Sequence, residues 1–263
     1  MNRHIAAFQA RFLNATFGLL AAALVGCLAG CSSSGSKASG TDAPREAART
    51  GGESGGNARK YLATDGRTIE IGASVAADGG RRFNNPHMEK GKCWVADGFQ
   101  FTGYDTLYLA PTLSTAKFNE KNEEEVKVHA LARERLVTMT EEYCRNLGLF
   151  THVVTREADI PPGTKALKLE NTIVEFTKGG GAARYFVGLY GGGQPVLRVQ
   201  GVMTDADRKV FSYEARRSGV SAGARVGGVF MKDEDIQIQD IRSLVLDLTD
   251  FMAALSGKYP PAP

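Results

Sequence analysis

PVLRVQGVMTDADRKVFSYEA, residues Pro195–Ala215, is the stretch on which the fold turns. Leu197, Val199, Gly201 and Met203 fall two residues apart and share one side of an extended chain. Thr204-Asp205-Ala206-Asp207 then supplies turn residues, and Val210 to Ala215 returns, so the spacing predicts a β-hairpin.

Further strands and two helices can be read outward from this hairpin. Lys165 to Lys178 alternates with Leu167, Leu169 and Ile173 on one side, and a Pro161-Pro162-Gly163 turn precedes it. Thr106 to Ala110 is a compact apolar run stopped by Pro111, and Leu149 to Val154 reads as another strand. Between those two lies a helical pattern of Val128, Ala132, Leu136, Met139, Tyr143 and Leu147, with Glu123-Glu124-Glu125 at its start and Gly148 at its end. His129 falls on the polar side of that pattern. Ile241, Leu244, Val245, Leu248, Met252 and Leu255 mark a second helix, with Asp235 near its start and Gly257 after it. The sum is an α+β (mixed α/β) domain over residues 103–257, a small sheet of about four to five strands with two amphipathic helices on one face. Residues 61–102 read as a loosely structured lead-in with a short strand or two, such as that at Thr68-Ile69-Glu70-Ile71, and residues 258–263 as a disordered tail.

The N-terminus carries an address. Arg3 and Arg11 make a basic start, Phe12 to Gly26 is apolar, and the first thirty residues contain no acid. The apolar run is shorter than the ~20 residues a membrane span needs. It leads into Leu28-Ala29-Gly30-Cys31, which reads as a lipobox closing a signal peptide over residues 1–30. Leu24-Val25-Gly26-Cys27 is a second candidate; Cys31 is preferred because it leaves the longer apolar region. Cys31 would carry a covalent diacylglycerol and an N-acyl chain, enough acyl chains to hold the chain stably on a membrane. Ser32 follows, and resemblance to proteobacterial lipoproteins implies sorting to the outer membrane with the domain in the periplasm. Residues 31–60 are Ser, Gly and Ala with scattered charges, a lipidated flexible tether unable to bury enough surface to fold.

Without Arg3 and Arg11 the chain keeps 30 of its 32 basic residues against 29 acids. So nearly balanced a body offers nothing for nucleic acid. Cys93 and Cys144 could pair in an oxidising compartment or remain two buried thiols. Neither they nor His87, His129 and His152 offer metal-ligand spacing, and no nucleophile elbow or zinc-protease motif occurs. Asp205/Asp207 and Asp233/Glu234/Asp235 lack the spacing of a calcium loop and fit turn and helix-start roles. Trp94, Phe99, Phe101 and Tyr104 form an aromatic cluster ahead of the Thr106 strand, which could line a ligand groove but more often staples an N-terminal segment across a sheet edge, the reading preferred here.

The most unusual segment runs from Gly179 to Gly193, with triple glycines around Ala182-Ala183-Arg184-Tyr185-Phe186-Val187-Gly188-Leu189-Tyr190. It lacks every phosphate-loop spacing and reads as a connection between strands whose apolar middle packs on the body or a partner. Arg184, Tyr185, Phe186, Leu189 and Tyr190 are the candidate partner-binding residues.

Gly181-Ala182-Ala183-Arg184, Gly188, Gly191, the following strand, Thr204-Asp205 and the second strand resemble an uncharacterised family of bacterial lipoproteins. Gly103-Tyr104-Asp105-Thr106-Leu107 is similar to the start of related lipoproteins, whereas Arg208-Lys209 stands where their turn often has Gly-Lys. The resemblance covers about residues 100–255 and implies an envelope lipoprotein with a small α/β domain; it supplies no catalytic residue. The expectation is therefore a non-enzymatic binding or assembly component of the cell envelope, with an envelope protein as partner and no cofactor or metal. A lipid- or small-ligand-binding accessory subunit of a transport system is the alternative, and a cell-wall hydrolase comes third.

Overall fold

The computed structural model describes residues 58–76, 78–84, 92–180, 193–219 and 232–262. In chain order the strands are β1 (Arg59–Leu62), β2 (Thr68–Ala76), β3 (Gly80–Asn84), β4 (Lys92–Ala96), β5 (Thr106–Leu109), β6 (Leu113–Ser114), β7 (His152–Val154), β8 (Ala166–Thr177), β9 (Val196–Asp205) and β10 (Arg208–Ser218). Helix α1 (Glu123–Asn146) lies between β6 and β7, and α2 (Asp233–Leu255) follows β10. All ten strands join one mixed sheet in the order β1-β2-β3-β4-β10-β9-β8-β5-β7, with β6 added against β8. β5 runs parallel to β7 and β8; the path from β8 through β9, β10 and β4 to β1 is antiparallel. The α+β class and the two helices against the sheet agree with the sequence reading, but the sheet is twice the expected size.

The extra strands come from the region read as a loose lead-in. β3 is Gly-Arg-Arg-Phe-Asn, too polar to announce itself, and it becomes a strand by pairing β2 on one side and β4 on the other. β4 in turn pairs β10, so the lead-in extends the hairpin's sheet. The C-terminal tail is also placed. Leu62 N–H donates to the Pro260 carbonyl at 3.0 Å and Ala262 N–H to that of Lys60 at 2.9 Å, so this segment lies along the outer edge of β1. Prolines suit that position, since an edge strand that lacks donors cannot recruit another chain.

One side of the sheet meets both helices. Leu197, Val199 and Met203 of β9, with Phe211, Tyr213 and Ala215 of β10, are buried in one core with Ile241, Leu244, Val245, Leu248, Phe251 and Met252 of α2. Phe211 and Phe251 stack at 5.9 Å, and Phe83 meets Phe251 edge-on at 5.4 Å. Gly201 sits at the tightest point: a Cβ there would stand 2.0 Å from the Tyr213 ring. The space a side chain would take lets Tyr213 lie flat and donate its buried hydroxyl to Asn171 Oδ1 at 2.9 Å. Helix α1 starts at Asn122, whose side chain accepts the Glu125 N–H at 3.1 Å, and ends before Gly148 at φ 58°.

Its buried stripe differs from the expected one. Val128, His129, Ala132, Leu136, Thr140 and Cys144 are buried, while Met139, Tyr143 and Leu147 are only partly so. The stripe follows steps of four and pulls His129 inside, contrary to the polar-side reading. Its ring stacks on Phe118 at 4.2 Å and meets Phe176 edge-on at 5.0 Å, and Nε2 lies 2.9 Å from Ser114 Oγ. No helix among the described residues is long and apolar enough to cross a membrane.

Candidate functional site

The other side of the sheet carries no helix among the described residues, and alternation fills it with polar residues. Arg198, Gln200 and Thr204 come from β9, Ser212, Glu214 and Arg216 from β10, and Lys168, Glu170 and Thr172 from β8. Opposite charges interleave: Arg198 Nε donates to Glu214 at 2.7 Å, Gln200 to the same carboxylate at 3.2 Å, and Arg216 to Glu175 at 3.3 Å. Val202 interrupts this pattern as an apolar residue 39% exposed.

Next to Val202 and Ser212 a groove of about 310 Å³ opens around Trp94. Trp94 is the outward residue of β4, between the inward Cys93 and Val95. It is held on three sides. Its indole N–H donates to Asp78 Oδ1 at 2.8 Å, Lys209 Nζ lies 4.2 Å from the ring centroid, and Gly80 leaves room where a Cβ would stand 2.5 Å from the indole. Asp78 also accepts from Arg82 at 3.1 Å. The indole N–H first, and the Arg82 charge after it, hold its carboxyl below the usual carboxylate range. Asp78 is thus ionised at neutral pH and acts as a fixed acceptor, not as a proton donor. An aromatic edge, a cation, an amide, a hydroxyl and an exposed valine on a flat face are the chemistry of contact with a partner, where aromatic and Arg anchors dominate.

The aromatic cluster read from the sequence is split by the sheet. Phe99 and Phe101 stack edge-on at 4.9 Å inside the core, Phe101 meets Phe211 at 5.8 Å, and Tyr104 packs on Phe99. Trp94 points the other way. The group seals core beneath an interior strand, so no edge is stapled. Tyr104 donates to Asp205 Oδ2 at 2.6 Å, and Asp205 pairs Arg208 at 3.5 Å across the hairpin turn, where Ala206 has φ 50°. Asp233, Glu234 and Asp235 fill the first turn of α2. No group of three or more His, Cys, Asp or Glu able to hold a metal occurs among the described residues.

Cys93 and Cys144 are both buried as thiols and are not bridged to each other, the second of the two arrangements the sequence leaves open. Burial pushes each thiol up to about 12, so neither is a ready nucleophile. Cys31 and the partner-binding candidates Arg184, Tyr185, Phe186, Leu189 and Tyr190 lie outside the described residues. The base of the glycine segment is in place: Gly180 N–H donates to the Gly193 carbonyl at 2.9 Å, which continues the β8–β9 pairing.

Sequence reasoning missed Asp78, Arg82, Gln200, Lys209 and Glu214 as neighbours of Trp94, and no local pattern joins them. It also missed a buried ionic group. Arg217, 1% exposed, bonds Asp247 of α2; Arg67 reaches Asp250 at 2.7 Å and Asp247 at 3.9 Å; Tyr259 donates to Asp250 at 2.6 Å. A signal for it exists, because strict alternation from Phe211 puts Arg217 on the inward side.

No protein-family profile matches the sequence. No curated protein matches it either. Among solved structures the chain is similar to the PelC dodecamer from Paraburkholderia phytofirmans, with TM-score 0.38, 15% identity, and coverage of 59% of this chain and 96% of that one. A variant of that dodecamer from the same organism, in a second crystal form, gives TM-score 0.35, 14% identity, and coverage of 60% and 97%. At these scores the likeness decides nothing about function or assembly.

Proposed function

We propose that this chain is a non-catalytic binding or assembly component of the bacterial cell envelope, anchored by acyl chains on Cys31 and presenting the Trp94 side of its sheet to an envelope protein. The observation that carries the reading is the Trp94 groove, where a largely buried indole is fixed by Asp78 and Lys209 on a side with no helix among the described residues. The two edges of the sheet are poorer contact surfaces. The C-terminal segment lies along β1, and β7 is three residues long with Arg145 donating to its Val153 carbonyl at 2.7 Å. The glycine segment at Arg184–Tyr190 follows β8 and offers a second contact to the same partner. The outer membrane, periplasmic side, is the location that the lipobox and Ser32 support.

The test is a crosslinked pull-down of the intact lipoprotein from its own membranes. Val202→Asp/Lys209→Glu alters only exposed side chains of the groove, and Tyr185→Ala/Phe186→Ala alters the glycine segment. A co-purifying protein lost with the first pair places the contact on the sheet. Retention by both double variants, or no co-purifying protein at all, rejects the reading.

A further inference from the structure

The helical layer stops short at one corner of the sheet. Strand register sets Arg59 beside Ile71, and Arg81 beside both Val75 and Val95. These positions share the side of Phe83, Cys93 and Phe211, where the rest of the sheet is apolar. Helix α2 ends at Leu255 over this corner, and Gly257 turns the chain away at φ 69°. Past that end the inward side is open, so that Val75 is 89% exposed.

A cleft of about 380 Å³ remains. Val95, Phe99, Phe101 and Tyr61 wall it, and the exposed Arg59 and Arg81 line it together with Gln100. The Arg81 guanidinium lies over the Phe83 ring, 5.5 Å from its centroid. No acidic side chain is among the described lining residues. The end of α2 brings a negative partial charge of about half a unit, against two whole guanidinium charges, so the cleft is positive. Guanidinium forks match carboxylate and phosphate oxygens, and a cleft of this volume suits a small organic ligand.

We infer that this cleft binds an organic anion, its carboxylate or phosphate held by Arg59 and Arg81 and its apolar body resting on the Val95–Phe99–Phe101 wall. The site lies on the opposite side of the sheet from the Trp94 groove and does not depend on the partner reading. Two sources supply that chemistry beside a membrane, the head of an anionic phospholipid and a free organic acid.

The full-length lipoprotein in a neutral maltoside detergent would be titrated calorimetrically with three probes: benzoate, dihexanoylphosphatidylglycerol below its micellar concentration, and neutral benzyl alcohol. Saturable one-to-one binding of either anion is expected, with none for the alcohol, and the tighter anion names the source. Arg59→Gln/Arg81→Gln should weaken it by about tenfold or more, since a charge-assisted bond is worth about 1.5–3 kcal/mol and 1.4 kcal/mol is tenfold. Gln100→Glu, which puts a carboxylate into the wall, should weaken it in the same direction and serves if the double variant misfolds. Failure of both anions to saturate, equal binding of benzyl alcohol, or affinity unchanged in these variants overturns the site.

Discussion

His129 shows what burial does to one residue. Burial first, and the Arg133 charge second, hold its imidazole below the ordinary value of 6.5, with Glu125 opposing. The folded state therefore binds fewer protons than the unfolded state between its own value and 6.5. Stability from the neutral ring is full above 6.5 and is lost as the pH falls through the folded value. Urea unfolding at pH 7.5 and pH 5 should show a larger loss at pH 5 in the native chain than in His129→Gln; equal losses would assign the pH dependence elsewhere. Ser114 and His129 are within hydrogen-bond reach, but the ring is packed between Phe118 and Phe176, and its role is to seal the start of α1.

Among the elements, α2 is what the rest of the chain is tied to. Its apolar stripe was plain in the sequence, because Ile241, Leu244, Val245, Leu248 and Met252 recur at helical spacing. The acids beside that stripe were not legible as structure. Asp247 and Asp250 take Arg217 from β10, Arg67 from the β1–β2 connection and Tyr259 from the tail. Burial, and after it the Asp250 carboxylate, raises the Tyr259 hydroxyl well above its ordinary value, so this tie stays protonated throughout the neutral range. Asp247→Ala removes the carboxylate bonded to the buried Arg217 and should cost about 3–5 kcal/mol, whereas Arg217→Met/Asp247→Leu should cost much less. Urea midpoints of the two variants decide it: equal losses would mean that packing, not charge, holds the joint.

At the scale of the molecule, the sheet divides the chain's tasks. One side is spent on the core, and the other bears the Trp94 groove. Attachment is proposed to lie elsewhere, in Cys31. Cys31→Ser should abolish incorporation of labelled palmitate and leave the precursor at its full length. Continued acylation would move the lipidated residue to Cys27.

The sequence by itself determined those parts whose apolar pattern is complete within one segment: the β9–β10 hairpin, β8 and both helices. Each is a local statement, since side chains two or four residues apart share a face whatever lies opposite. Tertiary structure alone decided the rest. β3 and β4 are strands because β2 and β10 supply partners for their backbone groups, and Arg59 and Arg81 gain meaning only where α2 stops. Trp94, Asp78 and Lys209 meet because register brings β4 beside β10, and pairing between distant segments leaves no period in the chain to read.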